Sequence, residues 1–145
     1  MLVKTFEHQG RSCPHKKKFI NSIFEVCSAH NSAKIITAID KDGNVHASSL
    51  FVYDEKTCYY LIAGSDPKFR ASRAQTLVLD SGIEFASEHS KAFDFEGSMI
   101  EGIENFFRRF GADRVLYYQI EKKGFIGELK SLLKPRIKKL LGYKN

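Results

Sequence analysis

Residues 93–111, FDFEGSMIEGIENFFRRFG, decide the fold. The alternation of phenylalanine with Asp94 and Glu96 predicts a short strand with one buried face. Gly97 then breaks the strand, and apolar residues at helical spacing continue to Gly111, which is predicted to end the helix. Asp94 and Glu96 thus lie on the same side of a strand whose end faces a turn and a helix N-terminus. Open α/β sheets commonly bind ligands at such strand ends.

The elements around this stretch follow from periodicity. The Asp42-Gly43 pair is typical of a hairpin turn between two strands. Ser72 is expected to cap a helix. In chain order, the spacing predicts a helix at 15–30, strands at 33–40, 45–53 and 58–63, a helix from about 72 to 89, a strand at 91–96, a helix around 106 and a strand at 114–121. The order is α-β-β-β-α-β-α-β, with a basic helical tail.

Length and composition limit the function classes. The chain has 145 residues, 43% of them hydrophobic, which fits one globular domain. No apolar run approaches the roughly 20 residues that span a bilayer. The three cysteines do not form a disulfide pattern, and Cys13 near His15 is only a weak hint of a metal ligand, so no metal site is predicted. A cytoplasmic location is expected, with association at a membrane surface as the alternative.

The positive charge is concentrated in the tail. Residues 122–145 hold eight Lys or Arg and one acid, so the other residues sum to −1 of the net +6. Apolar residues in the tail fall on one stripe of a helix, with lysines opposite. Such a helix can bind an anionic membrane surface or tRNA. The favoured interpretation is that it packs on its own domain or on a missing half of the protein, with the lysines in water.

The chain resembles GNAT-type acyltransferases of the Fem and methicillin-resistance-like group. The resemblance rests on FDFEGSMIEGIENFFRRFG and extends through YYLIAGSDPKFRAS, DKDGNVHASSLFVYD and KTFEHQGRSCP. It implies an α+β GNAT-like fold, with a linker at 1–14, a domain at 15–121 and the basic helix at 122–145. It also implies an upstream GNAT-like half, or a homodimer.

The resemblance further implies transfer of an acyl or aminoacyl group to an amine. The donor would be acyl-CoA or aminoacyl-tRNA, neither of them tightly bound. In GNAT enzymes the carrier's pyrophosphate lies at the N-terminus of the helix after the third meander strand. That position here holds Arg70, Ser72, Arg73 and Ala74, without the usual signature glycine. Arg70 and Arg73 are either phosphate ligands or ordinary loop charges.

Glu96 is the first candidate for the general base, with Asp94 beside it, because both end the same strand. The alternative is that these acids cap the following helix or pair with Arg108. Arg108 is also a candidate fixed cation for the substrate, and Tyr60 and Ser98 are candidate substrate contacts. Two further functions remain open: a non-catalytic half that packs on an active partner domain, and a membrane- or nucleic-acid-binding module led by the tail.

Overall fold

The structure is a computed structural model. The residues that it describes are 2–8, 10, 12–13, 15–118 and 120. The tail predicted at 122–145 lies outside the described residues. The chain divides into two units, Met1–Ala112 and Asp113–Asn145. All elements below belong to the first unit.

A four-stranded mixed sheet forms the centre of this unit. In both chain order and spatial order its strands are β1 (Ala33–Ile39), β2 (Val45–Tyr53), β3 (Thr57–Ser65) and β4 (Ala92–Asp94). The first three strands pair antiparallel, whereas β4 runs parallel to β3. The predicted three-stranded meander is therefore confirmed.

The β1–β2 hairpin closes where the Asp-Gly pair predicted it. Asp40 Oδ1 accepts hydrogen bonds from the amides of Asp42 (3.0 Å) and Asn44 (2.8 Å). Gly43 has a φ of +82°, which residues with a Cβ rarely adopt. The turn thus depends on a carboxylate that gathers backbone donors and on one glycine.

Helices flank the sheet. They are α1 (Leu2–His8), α2 (Lys17–Ala29), α3 (Ala74–His89) and α4 (Glu101–Arg108), with a 3₁₀ turn at Pro67–Ser72. The predicted helices at 15–30, 72–89 and around 106 are confirmed within a few residues. Helix α1 lies in the segment expected to be a linker. Its local sequence pattern did not indicate a helix. The helix is held by tertiary contacts to β3, which a local pattern does not reveal.

Helix α3 packs on one face of the sheet and closes the core. Gly82 approaches Phe51 so closely that a Cβ on the glycine would lie 2.3 Å from two ring atoms. Phe51 and Leu79 are completely buried between sheet and helix. Phe107 of α4 completes the same cluster. The result is the expected α+β architecture, a mixed sheet flanked by helices.

The strand predicted at 114–121 is wrong over the residues that the structure describes. Residues 113–118 have no regular secondary structure, and Val115 and Tyr117 are more than 80% exposed. An apolar alternation becomes a strand only where a neighbour supplies hydrogen bonds, and no pairing is described for this segment. The strand predicted at 91–96 is also shorter, since β4 ends at Asp94.

Candidate functional site

Strands β3 and β4 separate soon after they begin to pair. Their register matches Tyr59 with Asp94, after which β4 ends and β3 continues to Ser65 paired with β2 on its other side. A register shift against β2 inserts Leu61 into β3 as a bulge. Bulges are frequent beside active sites because they redirect backbone groups. The sequence hinted at this bulge only through the run Tyr59–Ile62, in which apolar and polar residues do not alternate.

The separation leaves an open edge on β3. The N–H and the carbonyl of Ser65 both bond to the hydroxyl of Thr5 in α1, at 3.0 and 3.1 Å. Ser65 therefore directs its backbone groups away from β2. Strand geometry then turns the backbone groups of Ala63 to the same edge. An edge of this kind can pair with an extended ligand.

The turn after β4 brings Asp94 and Glu96 together. Asp94 Oδ1 accepts a hydrogen bond from the Glu96 amide at 2.7 Å. Glu96 is exposed and has a φ of +60°, followed by Gly97 at +63°. A left-handed conformation costs a residue with a Cβ roughly 1–2 kcal/mol. Such strain concentrates at functional positions, so it marks Glu96 as a candidate.

Ser98 and Arg108, the two other candidate residues near this turn, have separate hydrogen-bond partners. Ser98 Oγ accepts from the amide of Ile100 at 3.0 Å and so shapes the entry to α4. Arg108 pairs with Glu104, one helical turn earlier on α4. Neither Asp94 nor Glu96 forms a salt bridge with a described residue.

Tyr60 lies inside the protein, on the core face of the sheet. It is 7% exposed, and Gln75 Nε2 donates to its hydroxyl at 2.6 Å and to Ser49 Oγ at 2.9 Å. Burial raises the pKa of Tyr60, while hydrogen bonds from Ser49 and Gln75 lower it less. Asp94 and Glu96 are exposed, whereas Phe93 packs against this core. The structure thus does not bring Tyr60 to the exposed acids.

The sequence did not identify Gln75 or Ser49 as members of this polar cluster. Gln75 Oε1 is buried and has no hydrogen-bond partner among the described residues. Gln75 belongs to the first turn of α3, and Ser49 to β2. The cluster thus ties the start of α3 to the sheet. Sequence spacing gives no signal for it, because its members lie on three separate elements.

A cationic turn connects β3 to α3. Asp66 starts it: the carboxylate accepts from the Lys68 amide at 3.1 Å and pairs with Lys4 of α1. The hydrogen bond from Lys4 is the main cause that lowers the pKa of Asp66. The exposed side chains of Arg70 and Arg73 follow, at the N-terminus of α3. The positive end of a helix and two guanidinium groups favour an anion here.

The predicted cap at Ser72 needs correction. The residue before α3 is Arg73, with a φ of +54°, and no side chain caps the helix from that position. The 3₁₀ turn sets this geometry, because it brings the chain into α3 one residue later than expected. Ser72 Oγ still accepts from the Ala74 amide, at 3.4 Å.

Two classes of feature are absent from the described part of the chain. No helix there is long and apolar enough to cross a membrane. No group of three or more His, Cys, Asp or Glu side chains is arranged there to hold a metal ion.

Comparison with known proteins agrees with the fold. Residues 2–119 match the model of a family described as an acetyltransferase (GNAT) domain. No curated protein sequence matches the chain. The solved structures similar to it include a tetramutant of the BH1408 protein from Bacillus halodurans and an acetyltransferase from Trypanosoma brucei.

The first structure is 15% identical, with a TM-score of 0.60 over 83% of this chain and 91% of the other. The second is 12% identical, with a TM-score of 0.58 over 83% and 89%. At these low identities the two structures support the fold alone. The family assignment rests on the match of residues 2–119 to the family model.

Proposed function

This chain belongs to the GNAT acetyltransferase family, and from that premise we propose that it transfers an acyl group from an acyl-CoA thioester to an amine, with Glu96 as the base. Membership of the family implies N-acyl transfer in general, with an acyl donor and an amine acceptor. One observation carries the finer proposal. The open edge of β3 starts beside the strained turn at Glu96 and ends at the cationic turn before α3.

The donor would lie along β3. Its phosphates would bind at Arg70, Ser72, Arg73 and the amide of Ala74, where positive charge and the helix dipole coincide. Its extended arm would follow the edge at Ala63, whose backbone N–H and carbonyl face away from β2. The thioester would then reach the level of Leu61 and Glu96. Because these contacts lie mainly on exposed residues and an open strand edge, they suit a donor that binds reversibly as a substrate.

Glu96 would accept the proton that the amine must lose. The amine nitrogen attacks the thioester carbonyl carbon, and the proton passes to Glu96 directly or through one water. The carbon–sulfur bond then breaks, and the thiolate leaves and takes up a proton. Backbone N–H groups at the edge of β3 supply donors for the oxygen that becomes negative. Asp94 would position the base, because its carboxylate holds the Glu96 amide.

Fem-like aminoacyl transfer is the finer alternative for the donor. It differs from the first proposal in one measurable respect, since its donor is an aminoacyl-tRNA and not a thioester. For the acceptor, the proposed contacts are Ser98, which precedes α4, and Arg108, the last residue of α4. Tyr60 is proposed to support α4 from the core, because its ring packs edge-on against Phe107 of α4 at 5.9 Å.

The test compares the wild-type chain with Glu96→Gln. Binding of coenzyme A is measured by calorimetry, and acetyl transfer to a panel of primary amines by mass spectrometry. We expect Glu96→Gln to transfer about 10²-fold more slowly, because a general base is lost, with coenzyme A affinity unchanged. Glu88→Gln is the matched control, since Glu88 is an exposed acid on α3.

Two results would contradict the proposal in different ways. Equal transfer by Glu96→Gln would remove Glu96 from the mechanism. Failure of the wild-type chain to bind coenzyme A would refute the donor. Transfer from aminoacyl-tRNA would then support the Fem-like alternative, and the absence of both would support a non-catalytic half.

A further inference from the structure

A chain of hydrogen bonds links the β1–β2 hairpin to the turn before α3. His46 Nε2 lies 3.0 Å from Asp40 Oδ2, and His46 Nδ1 lies 2.9 Å from Ser72 Oγ. The ring of His46 also stacks on Phe69, with centroids 4.0 Å apart and planes within 5° of each other. One side chain of the sheet therefore contacts two residues of the 3₁₀ turn.

The same three residue types form hydrolytic triads, but Ser72 is engaged differently here. Its hydroxyl donates to the carbonyl oxygen of Phe69 at 2.7 Å and accepts from the amide of Ala74 at 3.4 Å. A hydroxyl has one hydrogen, so the ring of His46 must donate the remaining bond to Ser72. The contact therefore holds Ser72 in place and does not prepare it to attack a substrate.

Apart from contacts with α1, the turn has few other supports in the part of the chain that the structure describes. None of the residues Pro67–Ser72 is buried. The carboxylate of Asp66 fixes the beginning of the turn by accepting from the Lys68 amide. The end is the strained Arg73, and His46 is the sheet residue that holds the part of the turn next to it. Without His46, the last residues of the turn would lose both a stacking partner and a hydrogen bond.

We infer that His46 is a positioning residue for the acyl donor, because it holds the turn that carries Arg70 and Arg73. Asp40 orients His46 by accepting from Nε2 on the far side of the ring, so the two bonds form together when both ring nitrogens carry a proton. The hairpin thereby sets where the two guanidinium groups stand relative to the N-terminus of α3. This inference rests on the proposed function, since it assigns the donor's phosphates to that turn.

The experiment uses the full chain with His46→Ala and His46→Phe. The phenylalanine keeps a ring against Phe69 and removes both hydrogen bonds. His89→Ala is the matched control: His89 also stacks on a phenylalanine, Phe85, at 4.0 Å, and its Nδ1 bonds to the Phe85 carbonyl, but it lies at the far end of α3.

Two quantities are measured. The first is amide hydrogen exchange at 68–73 without donor, which does not depend on the function. The second is acetyl-CoA turnover, separated into KM and kcat. We expect faster exchange at 68–73 and a KM raised about fivefold in His46→Ala, as expected for the loss of one or two weak contacts, with kcat nearly unchanged. His46→Phe should be intermediate and His89→Ala like wild type.

Each outcome decides the inference. Unchanged exchange in His46→Ala would overturn the claim that His46 holds the turn. Faster exchange with an unchanged KM would overturn its link to the donor. A wild-type chain that does not bind coenzyme A would instead refute the proposed function, and it is recognised before any variant is compared.

Discussion

Gly82 offers the most direct test of how α3 meets the sheet. In Gly82→Ala the new methyl carbon would lie 2.3 Å from Cε1 and Cζ of Phe51. Carbon atoms in contact are normally about 3.5–4.0 Å apart, so the ring or the helix would have to move by more than about 1 Å. Phe51 is completely buried and cannot turn toward solvent.

The magnitude follows from two opposing terms. Overpacking a core costs about 1–3 kcal/mol, and this clash belongs in the upper part of that range. Alanine favours a helix over glycine by about 1 kcal/mol, which offsets part of the cost. We therefore expect Gly82→Ala to lower the free energy of unfolding by about 1–2 kcal/mol, measured by urea denaturation followed by circular dichroism.

Gly102 provides the matched control in the same experiment. It lies in α4, and a Cβ there would have no heavy atom within 4 Å. Gly102→Ala should therefore stabilise the protein by roughly 0.5–1 kcal/mol, through helix propensity alone. If Gly82→Ala also stabilised the protein, the close approach of α3 to β2 would be refuted.

Two further predictions concern the hairpin and the cationic turn. The Asn44 side chain is the main cause that lowers the pKa of Asp40 from 3.8 to about 2. A carboxyl with a depressed pKa contributes stability that is present above 3.8 and lost as the pH falls toward 2, so urea unfolding of Asp40→Asn should be less sensitive to acid in that window. Arg73→Gly should relieve roughly 1–2 kcal/mol of strain, offset by about 0.5–1 kcal/mol of glycine entropy. It should raise the unfolding free energy slightly while weakening coenzyme A binding, and unchanged binding would exclude Arg73 as a phosphate ligand.

The parts of the fold that the sequence predicted are those specified locally. The meander follows from β-branched runs around Asp42-Gly43, and α3 and α4 follow from helical spacing. Glu96 was proposed from its place at the end of a strand, and the structure adds the positive φ that no pattern reveals. Phe93 and Phe95 face the core as the alternation predicted.

The parts that the sequence did not predict depend on residues far apart in the chain. Helix α1 is attached to β3 by Thr5, which is 60 residues from its partner Ser65. His46 and Ser72 are 26 residues apart, and no spacing in the sequence indicates that they meet. The prediction of a strand after Gly111 was wrong for a related reason, because an alternating run forms a strand only when a neighbouring strand pairs with it. Local periodicity cannot report such contacts.

The hydroxyl of Thr5 also limits the length of any ligand that pairs with the edge of β3. By satisfying both backbone groups of Ser65, it takes the place that the next residue of an added strand would need. The edge that remains, from Tyr60 to Gly64, is about 13 Å long at the usual rise of a strand. A short, narrow arm can lie there, whereas a long peptide would collide with α1. The contact between Thr5 and Ser65 also limits edge-to-edge association between copies of the chain, which open strand edges otherwise favour.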